Sequence, residues 1–450
     1  MMTTTCIPLL YGRQELSVEV PDANLLGVYY PEAHPGSPAG PNVPDPDRLL
    51  QQAMANPVGT PRLREMAMPG QKIAIITSDL TRPTPSGQML PFVIEELEAA
   101  GIPDNDVVIV LALGLHRPMT DQEIATCIPP EIYQRYRIIN HDPEDTIHLG
   151  VTSRGTPVEI FRPVVEADLR ICLGNIEFHY FAGYSGGAKA ILPGCASRKC
   201  VTANHSWMIK PGAAAASLDD NPVRLDLEEG VAMLGTDGKG VDFILNVVLD
   251  NEHQIAAAYA GDVREAHRLG CNFVHQRGTV DTLGPGDLVI ASAGGFPKDI
   301  NYYQAHKALE NARYFVRPGG VIILVAECSE GIGNKLMEHW LMEIPSADEI
   351  LHRIQQEFVL GGHKAAAIAM IQKQADIYLV SGMPDAAVRQ MRCFPFPAVQ
   401  AALDAAIEKL GIGCRVVVLP LAGSTLPSSI QGTSQEGEPG AAQMVDRFSR

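Results

Sequence analysis

The sequence lacks the features that would direct the protein to a membrane, to the cell exterior or to nucleic acid. No apolar run approaches the roughly 18–20 residues that a membrane-spanning helix needs. The N-terminal segment shows no basic stretch followed by a long apolar one, so we expect no signal peptide. The formal net charge of −17 argues against nucleic acid or an anionic membrane surface as a partner. We therefore expect a cytoplasmic protein that acts on a small molecule.

Close cysteine pairs and the common zinc-protease motif are also absent. The nine cysteines run from Cys6 to Cys414 without a CxxC pair, which argues against a disulfide framework and is typical of a reducing compartment. Cys195 and Cys200 are predicted to be small buried thiols. No HExxH sequence is present, so no pair of histidines has that zinc-binding spacing.

Short apolar runs alternate with helical patterns along the chain, which predicts α/β units around mostly parallel sheets. We predict two α/β domains, residues 1–275 and 276–425, with the active site in the interdomain cleft, and a disordered tail over 426–450. Thr120 and Glu123 have the spacing of a capping box at a helix start. The predicted strands lie within 72–79, 107–116, 137–142, 168–179, 287–297, 320–327, 376–383 and 415–420, and the predicted helices near 88–100 and 302–315.

Polar, reactive side chains follow three predicted strands of the first domain. Open α/β sheets bind ligands at the carboxyl ends of their strands, so these residues are candidates for one site. A second group opens the helix predicted over 302–315. Each residue alone also fits a helix cap, an ion pair or a solvated helix face, but their coincidence favours a site. The candidates are Asp79, Arg82, His116 and His179 in the first domain, and Tyr303, Gln304 and Lys307 in the second.

Residues 179–194 read HYFAGYSGGAKAILPG, a glycine-dense stretch with one lysine. Glycines this dense are typical of a backbone that approaches a ligand, often a phosphate. The stretch is not a Walker A motif, because Ala190 rather than Ser or Thr follows Lys189, and it does not fit the dinucleotide fingerprint. The residues alone leave the ligand of this loop open.

The candidate residues indicate acid–base chemistry on an anionic substrate. Two imidazoles can serve as acid and base on opposite faces of one carbon or oxygen, which suits a racemase or epimerase. Arg82 offers a planar grip on a carboxylate, and Lys307 offers a second cationic contact. These groups favour a substrate with a carboxylate and a neighbouring hydroxyl or α-hydrogen.

Five collinear segments resemble the nickel-pincer-nucleotide lactate racemase family of 2-hydroxyacid racemases and epimerases. They are SDLTRP (78–83), ALGLHRPMT (112–120), HYFAGYSGGAKAILPG (179–194), NHS (204–206) and YQAHK (303–307). The resemblance implies that Lys189 carries, through a covalent link, a nickel-bearing pyridinium-3,5-bisthiocarboxylic acid mononucleotide. It implies that His205 completes the coordination of the nickel.

The resemblance also implies a role for the other candidates. His116 and His179 match the paired acid and base, while hydride moves reversibly between C2 of a 2-hydroxy acid and the cofactor. Cofactor-biosynthesis enzymes are then expected partners. Arg82, Tyr303, Gln304 and Lys307 match the groups that hold the substrate, and Asp79, Gly183, Ser185, Gly186 and Gly187 are assigned to the cofactor.

One departure from the family concerns the substrate. Where lactate-specific members carry a tryptophan in the second domain, this chain reads VLGGHKAAAIAM over 359–370. His363 and Lys364 are candidates to meet a second carboxylate or sugar-acid hydroxyls. The alternative is a His-Lys pair that faces solvent at the start of a helix.

Two other functions fit the sequence. A zinc-dependent hydrolase or lyase would use His116, His179 and His205 as metal ligands. A non-catalytic protein on the same scaffold would bind the cofactor or a hydroxy acid without turnover.

Overall fold

The computed structural model describes residues 3–31, 45–235, 238, 240–250, 253–356, 358–359 and 361–430. The strands alternate with helices as predicted, and most of them lie in two large sheets. The strands are β1 Thr4–Tyr11, β2 Gln14–Pro21, β3 Leu25–Val28, β4 Ile73–Ser78, β5 Val107–Ala112, β6 Arg137–Asn140, β7 Thr146–Val151, β8 Pro157–Phe161, β9 Leu169–Asn175, β10 Phe178–His179, β11 Gly183–Tyr184, β12 Phe243–Leu249, β13 Ile255–Gly261, β14 Thr279–Val280, β15 Gly286–Ser292, β16 Val316–Val325, β17 Ala375–Val380, β18 Phe394–Phe396, β19 Val416–Leu419 and β20 Leu426–Pro427.

Helices cover both faces of the two large sheets. The capping box predicted at Thr120 is present, since its hydroxyl accepts from the Glu123 amide and the Glu123 carboxylate accepts from the Thr120 amide. The helices are α1 Pro46–Ala55, α2 Leu63–Met66, α3 Ser86–Ala99, α4 Asp121–Cys127, α5 Pro130–Arg135, α6 Arg162–Val165, α7 Arg198–His205, α8 Pro222–Ala232, α9 Glu265–Gly278, α10 Tyr302–Ala312, α11 Lys335–Glu343, α12 Ala347–Gln356, α13 Gly362–Gln374, α14 Asp385–Gln390 and α15 Val399–Leu410.

The first large sheet has six strands in the order β13-β12-β9-β4-β5-β6, parallel except for β13. Strand β4 is apolar throughout because both of its faces are covered. Ile73 and Ile75 pack into the core on one face, and Ala74 and Ile76 pack into the core on the other. From β4 the chain continues to β5 on one side and later to β9 on the other, so the strand order reverses at β4. This reversal is where an open α/β sheet forms a ligand crevice.

The second large sheet has six parallel strands in the order β18-β17-β16-β15-β19-β3. Its central strand β15 is buried on both faces in the same way as β4. Leu288 and Ile290 pack into one core, and Val289 and Ala291 pack into the other. The fold is therefore two α/β units with mostly parallel sheets, as the sequence predicted.

The predicted domain boundaries need two corrections. Strand β3 pairs with β19, and the β1–β2 hairpin packs into the same core as Leu288, so residues 3–28 belong with the second sheet rather than with a domain 1–275. The predicted tail also starts too early, because β20 pairs with β14 and residues 426–430 are part of the fold. Residues 431–450 of that tail lie outside the described residues.

The remaining structural expectations concern thiols and membranes. Cys195 and Cys200 are both fully buried, as expected. Within the described part of the chain, no helix combines the length and the apolarity that a membrane crossing requires.

Candidate active site

Strand β4 and strand β5 bring Asp79 and His116 together at their carboxyl ends. Nδ1 of His116 lies 2.6 Å from Oδ2 of Asp79, and the Thr81 hydroxyl donates to Oδ1 of the same carboxylate at 2.6 Å. Burial raises the pKa of Asp79, but the hydrogen bonds from His116 and Thr81 outweigh this effect and leave the pKa lowered. Asp79 is therefore held as a carboxylate. Its side chain contacts His116 and Thr81, and the cofactor role predicted for Asp79 stays a prediction.

The strand predicted over 168–179 ends at Asn175, and His179 lies instead in the short strand β10. β10 pairs with β11 through His179 and Gly183, so the chain folds back over the sheet edge. The amide of Ala182 donates to Nδ1 of His179 at 3.3 Å. Burial lowers the pKa of His179 well below its usual value, and the positive charges of Lys189 and Arg82 lower it further.

Phe181 is the common neighbour of three candidate residues. Its ring centroid lies 4.5 Å from that of His179, 5.0 Å from that of His205 and 5.8 Å from Nζ of Lys189. Burial lowers the pKa of Lys189 well below its usual value, and the charges of Arg82 and Arg224 act in the same direction. Across the described ranges, no hydrogen-bond or ion-pair partner of this amine is found. The result is a half-buried lysine that is favoured as the neutral, nucleophilic amine.

His205, at the end of α7, has one ring nitrogen committed. Its Nδ1 lies 3.1 Å from Oδ1 of Asn204, which leaves Nε2 as the nitrogen available to a metal. Burial lowers the pKa of His205 well below its usual value, and Lys189 and His363 contribute to the same effect. A neutral, oriented imidazole is the form that coordinates a metal. We call Asp79, His116, His179, Lys189 and His205 the first-domain wall.

The conformations of the loop glycines are explained by contacts within the protein. Gly183, Gly186 and Gly187 have φ of 77°, 74° and 57°. A Cβ at Gly183 would lie 1.9 Å from the carbonyl oxygen of Ser217, and the Gly187 amide donates to Oδ1 of Asn246 at 2.7 Å. The Ser185 hydroxyl donates to the Asn175 carbonyl at 2.7 Å. These groups hold the loop against the sheet, so their predicted contact with the cofactor stays a prediction without support from this geometry.

The opposite side of the cleft is made by helices α10 and α13 of the second sheet. Gln304 and Lys307 are exposed on the first turns of α10, where Asn301 caps the helix through the Gln304 amide at 3.0 Å. Tyr303 is half-buried, and burial raises its pKa while the charge of Arg82 lowers it. The sequence therefore placed these three side chains on one helix correctly, and the charge of Arg82 in the first domain reaches Tyr303.

His363 and Lys364 do not face solvent, because each is only 8% exposed. Nζ of Lys364 donates to the carbonyl of Tyr303 at 2.7 Å and lies 3.4 Å from the centroid of the Tyr303 ring. Burial lowers the pKa of Lys364 to about 7, with Lys307 and Arg82 as further causes. The solvent-facing alternative for this pair is wrong.

A second histidine–carboxylate pair lies behind this face. Nε2 of His306 is 3.6 Å from Oε1 of Glu310, and Nη1 of Arg313 is 3.6 Å from Oε2. Neither His306 nor Glu310 has a hydrogen-bond partner among the described residues, although both are buried. The ring of His306 packs edge-on against Tyr180 at 5.4 Å. We call Tyr303, His306, Lys307, Glu310, His363 and Lys364 the second-domain wall.

Comparison with known proteins gives a consistent result. The chain matches the model of the lactate racemase N-terminal domain over residues 11–216 and that of the lactate racemase C-terminal domain over 282–425. The lactate racemase of Thermoanaerobacterium thermosaccharolyticum is 37% identical over 353 residues, 77% of this chain and 80% of that protein. The lactate racemase of Lactiplantibacillus plantarum is 30% identical over 424 residues, 92% of this chain and 97% of that protein. The chain belongs to the lactate racemase family.

Solved structures agree with this assignment. The lactate racemase apoprotein from Thermoanaerobacterium thermosaccharolyticum matches with a TM-score of 0.83 and 32% identity, over 94% of this chain and 100% of that one. A protein from Thermotoga maritima matches with a TM-score of 0.60 and 17% identity, over 85% and 99%, which shows a shared fold alone. Membership of the lactate racemase family makes the chain an isomerase of the racemase type, and it confirms the resemblance seen in the sequence.

The zinc alternative is not supported within the lactate racemase fold. In the part of the chain that the structure describes, no three His, Cys, Asp or Glu side chains are grouped so that they could hold a metal ion. His116, His179 and His205 therefore do not form the ligand set that a zinc hydrolase would need.

Several residues of the site were missed by the sequence reasoning. Phe181 and Tyr180 lie inside the glycine-dense stretch, and Asn204 directly precedes His205, so their positions were visible but their contacts were not. Glu310 follows His306 by one helical turn, and this i,i+4 spacing is the signal that could have revealed the pair.

Proposed function

We propose that the protein interconverts the enantiomers of a 2-hydroxy acid in the cleft between the two walls. The observation that carries this proposal is the half-buried amine of Lys189, which has no hydrogen-bond or ion-pair partner among the described residues and shares the Phe181 ring with His179 and His205. Two relatives are named lactate racemase, and lactate is a 2-hydroxy acid.

The residues present fit a nickel-pincer nucleotide. Lys189 would hold it covalently, since burial and neighbouring cations favour the neutral amine, which is the nucleophilic form. Nε2 of His205 would coordinate the nickel, and imidazole is a suitable ligand for this metal. When bound, the nucleotide supplies an acceptor for the hydride of C2. One protein ligand is enough for a metal that the cofactor itself carries.

His116 is prepared to accept a proton. Asp79 is a carboxylate and can only accept a hydrogen bond, so Nδ1 of His116 carries the shared proton. Nε2 of His116 is then left with a lone pair for the substrate hydroxyl. Asp79 thus acts as a positioning residue, in the way that a carboxylate fixes the tautomer of a catalytic histidine.

His179 is prepared differently. The Ala182 amide can only donate, so Nδ1 of His179 must accept and the neutral ring carries its proton on Nε2. The two histidines therefore start with opposite tautomers, one with a free lone pair at Nε2 and one with an N–H. This asymmetry supports a base at His116 and a hydrogen-bond donor at His179.

The cationic side chains supply the grip on the substrate. The charge of Arg82 lowers the pKa of His179, Lys189 and Lys364, which indicates that its guanidinium is close to both walls. We propose that Arg82 and Lys307 hold the C1 carboxylate and that Gln304 and Tyr303 orient it.

Mass spectrometry of the intact protein tests this function directly. Co-expression with cofactor-making enzymes should add the mass of one nucleotide to the wild-type chain, and the Lys189→Ala chain should gain none. The loaded wild type should racemise at least one 2-hydroxy acid by chiral chromatography, and Lys189→Ala should not. Lys199→Ala is the matched control and should behave as wild type. It removes a nearby lysine whose side chain is 73% exposed. Full activity of Lys189→Ala without added mass would contradict the proposal.

A further inference from the structure

The second-domain wall buries a cation for which the proposed chemistry has no use. Lys364 lies in the first turn of α13 and is 8% exposed, yet an ammonium group is rarely buried without a partner of opposite charge. Its hydrogen bond goes to a neutral acceptor, the carbonyl of Tyr303. An ammonium carries three donors, so two N–H groups are left for another acceptor.

The charged groups around Lys364 are mostly of the same sign. Lys307 on α10 and Arg82 on the first domain are close enough to lower its pKa, and Glu310 is the carboxylate that opposes them. Glu310 is already shared with His306 and Arg313, each at 3.6 Å. Like charges that are brought together out of water raise the free energy of the empty site. An anion that enters the cleft relieves this repulsion.

One carboxylate on the substrate does not account for all of these cations. Arg82 and Lys307 suffice to hold a single carboxylate in a bidentate and a monodentate contact. Lys364 is a third cation and lies on the other helix, α13, with its Nζ 3.4 Å from the centroid of the Tyr303 ring. Its position suits a group of the substrate that is distant from C1.

We propose that Lys364 binds a second anionic group of the substrate, so that the protein acts on 2-hydroxy acids with a second carboxylate. This inference rests on the proposed racemase function and specifies its substrate class. Lys364 is then a specificity-determining residue, and the remainder of the substrate lies along the face of Tyr303.

The experiment compares two four-carbon acids that differ at C4, malate and 2-hydroxybutanoate, with the loaded enzyme. Lys364→Gln removes the charge but keeps an amide that can donate to the Tyr303 carbonyl. We expect Lys364→Gln to lower kcat/KM for malate about ten- to a hundredfold, the usual effect of losing a hydrogen bond to a charged group. The value for 2-hydroxybutanoate should change less than about twofold, because that acid has no group for Lys364.

A matched control lies on the same helix. Lys373 is exposed at the end of α13 and pairs with Asp348, so Lys373→Gln should leave both acids unaffected. Lys364→Arg keeps the charge and should retain most of the preference for malate. An equal loss for both acids in Lys364→Gln, or a wild type that prefers 2-hydroxybutanoate, would overturn the proposal.

The pH dependence gives a second measurement that needs no variant. Burial, with Lys307 and Arg82, lowers the pKa of Lys364 to about 7, while Glu310 opposes them. Lys364 is therefore charged below that pH and neutral above it. The ratio of kcat/KM for malate to that for 2-hydroxybutanoate should fall as the pH rises through about 7 in the wild type. A flat ratio would overturn the proposal even if Lys364→Gln failed to fold.

Calorimetric titration of the unloaded protein separates this proposal from the racemase function. Malate should bind more tightly than 2-hydroxybutanoate, and Lys364→Gln should abolish the difference. If the loaded enzyme racemised neither acid nor any other 2-hydroxy acid, the proposed function would be wrong, while this titration would still decide the role of Lys364. Equal binding of both acids to the wild type would count against that role.

Discussion

The two walls of the cleft present their polar side chains in different ways. On the first-domain wall, Asp79 and His116 are hydrogen-bonded to each other at 2.6 Å, and His179 is fixed by a backbone amide. On the second-domain wall, His306 and Glu310 are buried at 3.6 Å from each other without hydrogen-bond partners in the described chain. The same residue types thus form a hydrogen-bonded, oriented pair on one wall and a buried ion pair without hydrogen bonds on the other.

This difference indicates a division of labour between the walls. Hydrogen bonds that fix a tautomer matter for proton transfer, because the correct ring nitrogen must face the substrate. His306 and Glu310, which are buried without hydrogen-bond partners among the described residues, respond instead to the charge of a ligand. We therefore expect substitutions on the first-domain wall to change kcat, and substitutions on the second-domain wall to change KM.

The largest effect is expected from the two histidines of the first-domain wall. His116→Ala and His179→Ala should each lose more than about 10²-fold in kcat, the usual effect of removing a general acid or base. Chiral chromatography of both enantiomers measures the rates. His148→Ala, which removes an exposed histidine on β7, is the control and should have no effect. Near-full turnover in either active-site variant would end the assignment of the pair.

The sequence predicted the first-domain wall better than the second. Strands β4 and β5 are continuous apolar runs, so Asp79 and His116 could be placed directly after them. Because β4 and β5 are adjacent and parallel, their carboxyl ends lie side by side, and this places Asp79 next to His116. The pairing of β3 with β19 could not be predicted, because local patterns do not say which sheet a short strand joins.

The second-domain wall was harder to predict because burial of its charged residues depends on neighbouring helices. A lysine in the first turn of a helix usually faces solvent, and Lys364 became buried only because α13 is enclosed by α10, α11 and α12. The run AAAIAM carried a usable signal, since a helix that is apolar on all sides is expected to be buried. Glu310 contacts His306 through an i,i+4 spacing and Arg313 through an i,i+3 spacing on α10. Predicting this cluster from the sequence would have required both spacings to be recognised.

A smaller effect is expected when the orientation of His116 is disturbed but its ring is kept. Asparagine at position 79 can donate as well as accept, so part of the His116 population would carry its proton on Nε2 in Asp79→Asn. We expect kcat to fall about ten- to a hundredfold with little change in KM, because a hydrogen bond to a charged group is lost. Asp79→Glu should recover part of the rate. Asp145→Asn, at an exposed ion pair with Arg162, is the control.

The smallest effect is expected from a substitution of Lys307 on the second-domain wall. Lys307 is exposed on α10 and faces the cleft beside Lys298 and Lys364, whose pKa values its charge lowers. Lys307→Met should raise KM about tenfold, the lower end for a charged hydrogen bond, and leave kcat within about twofold. Lys335→Met, at the exposed start of α11, tests for a general effect of charge in the same domain. A fall in kcat without a change in KM would show that the second-domain wall takes part in the chemical step, and the division between the walls would then be wrong.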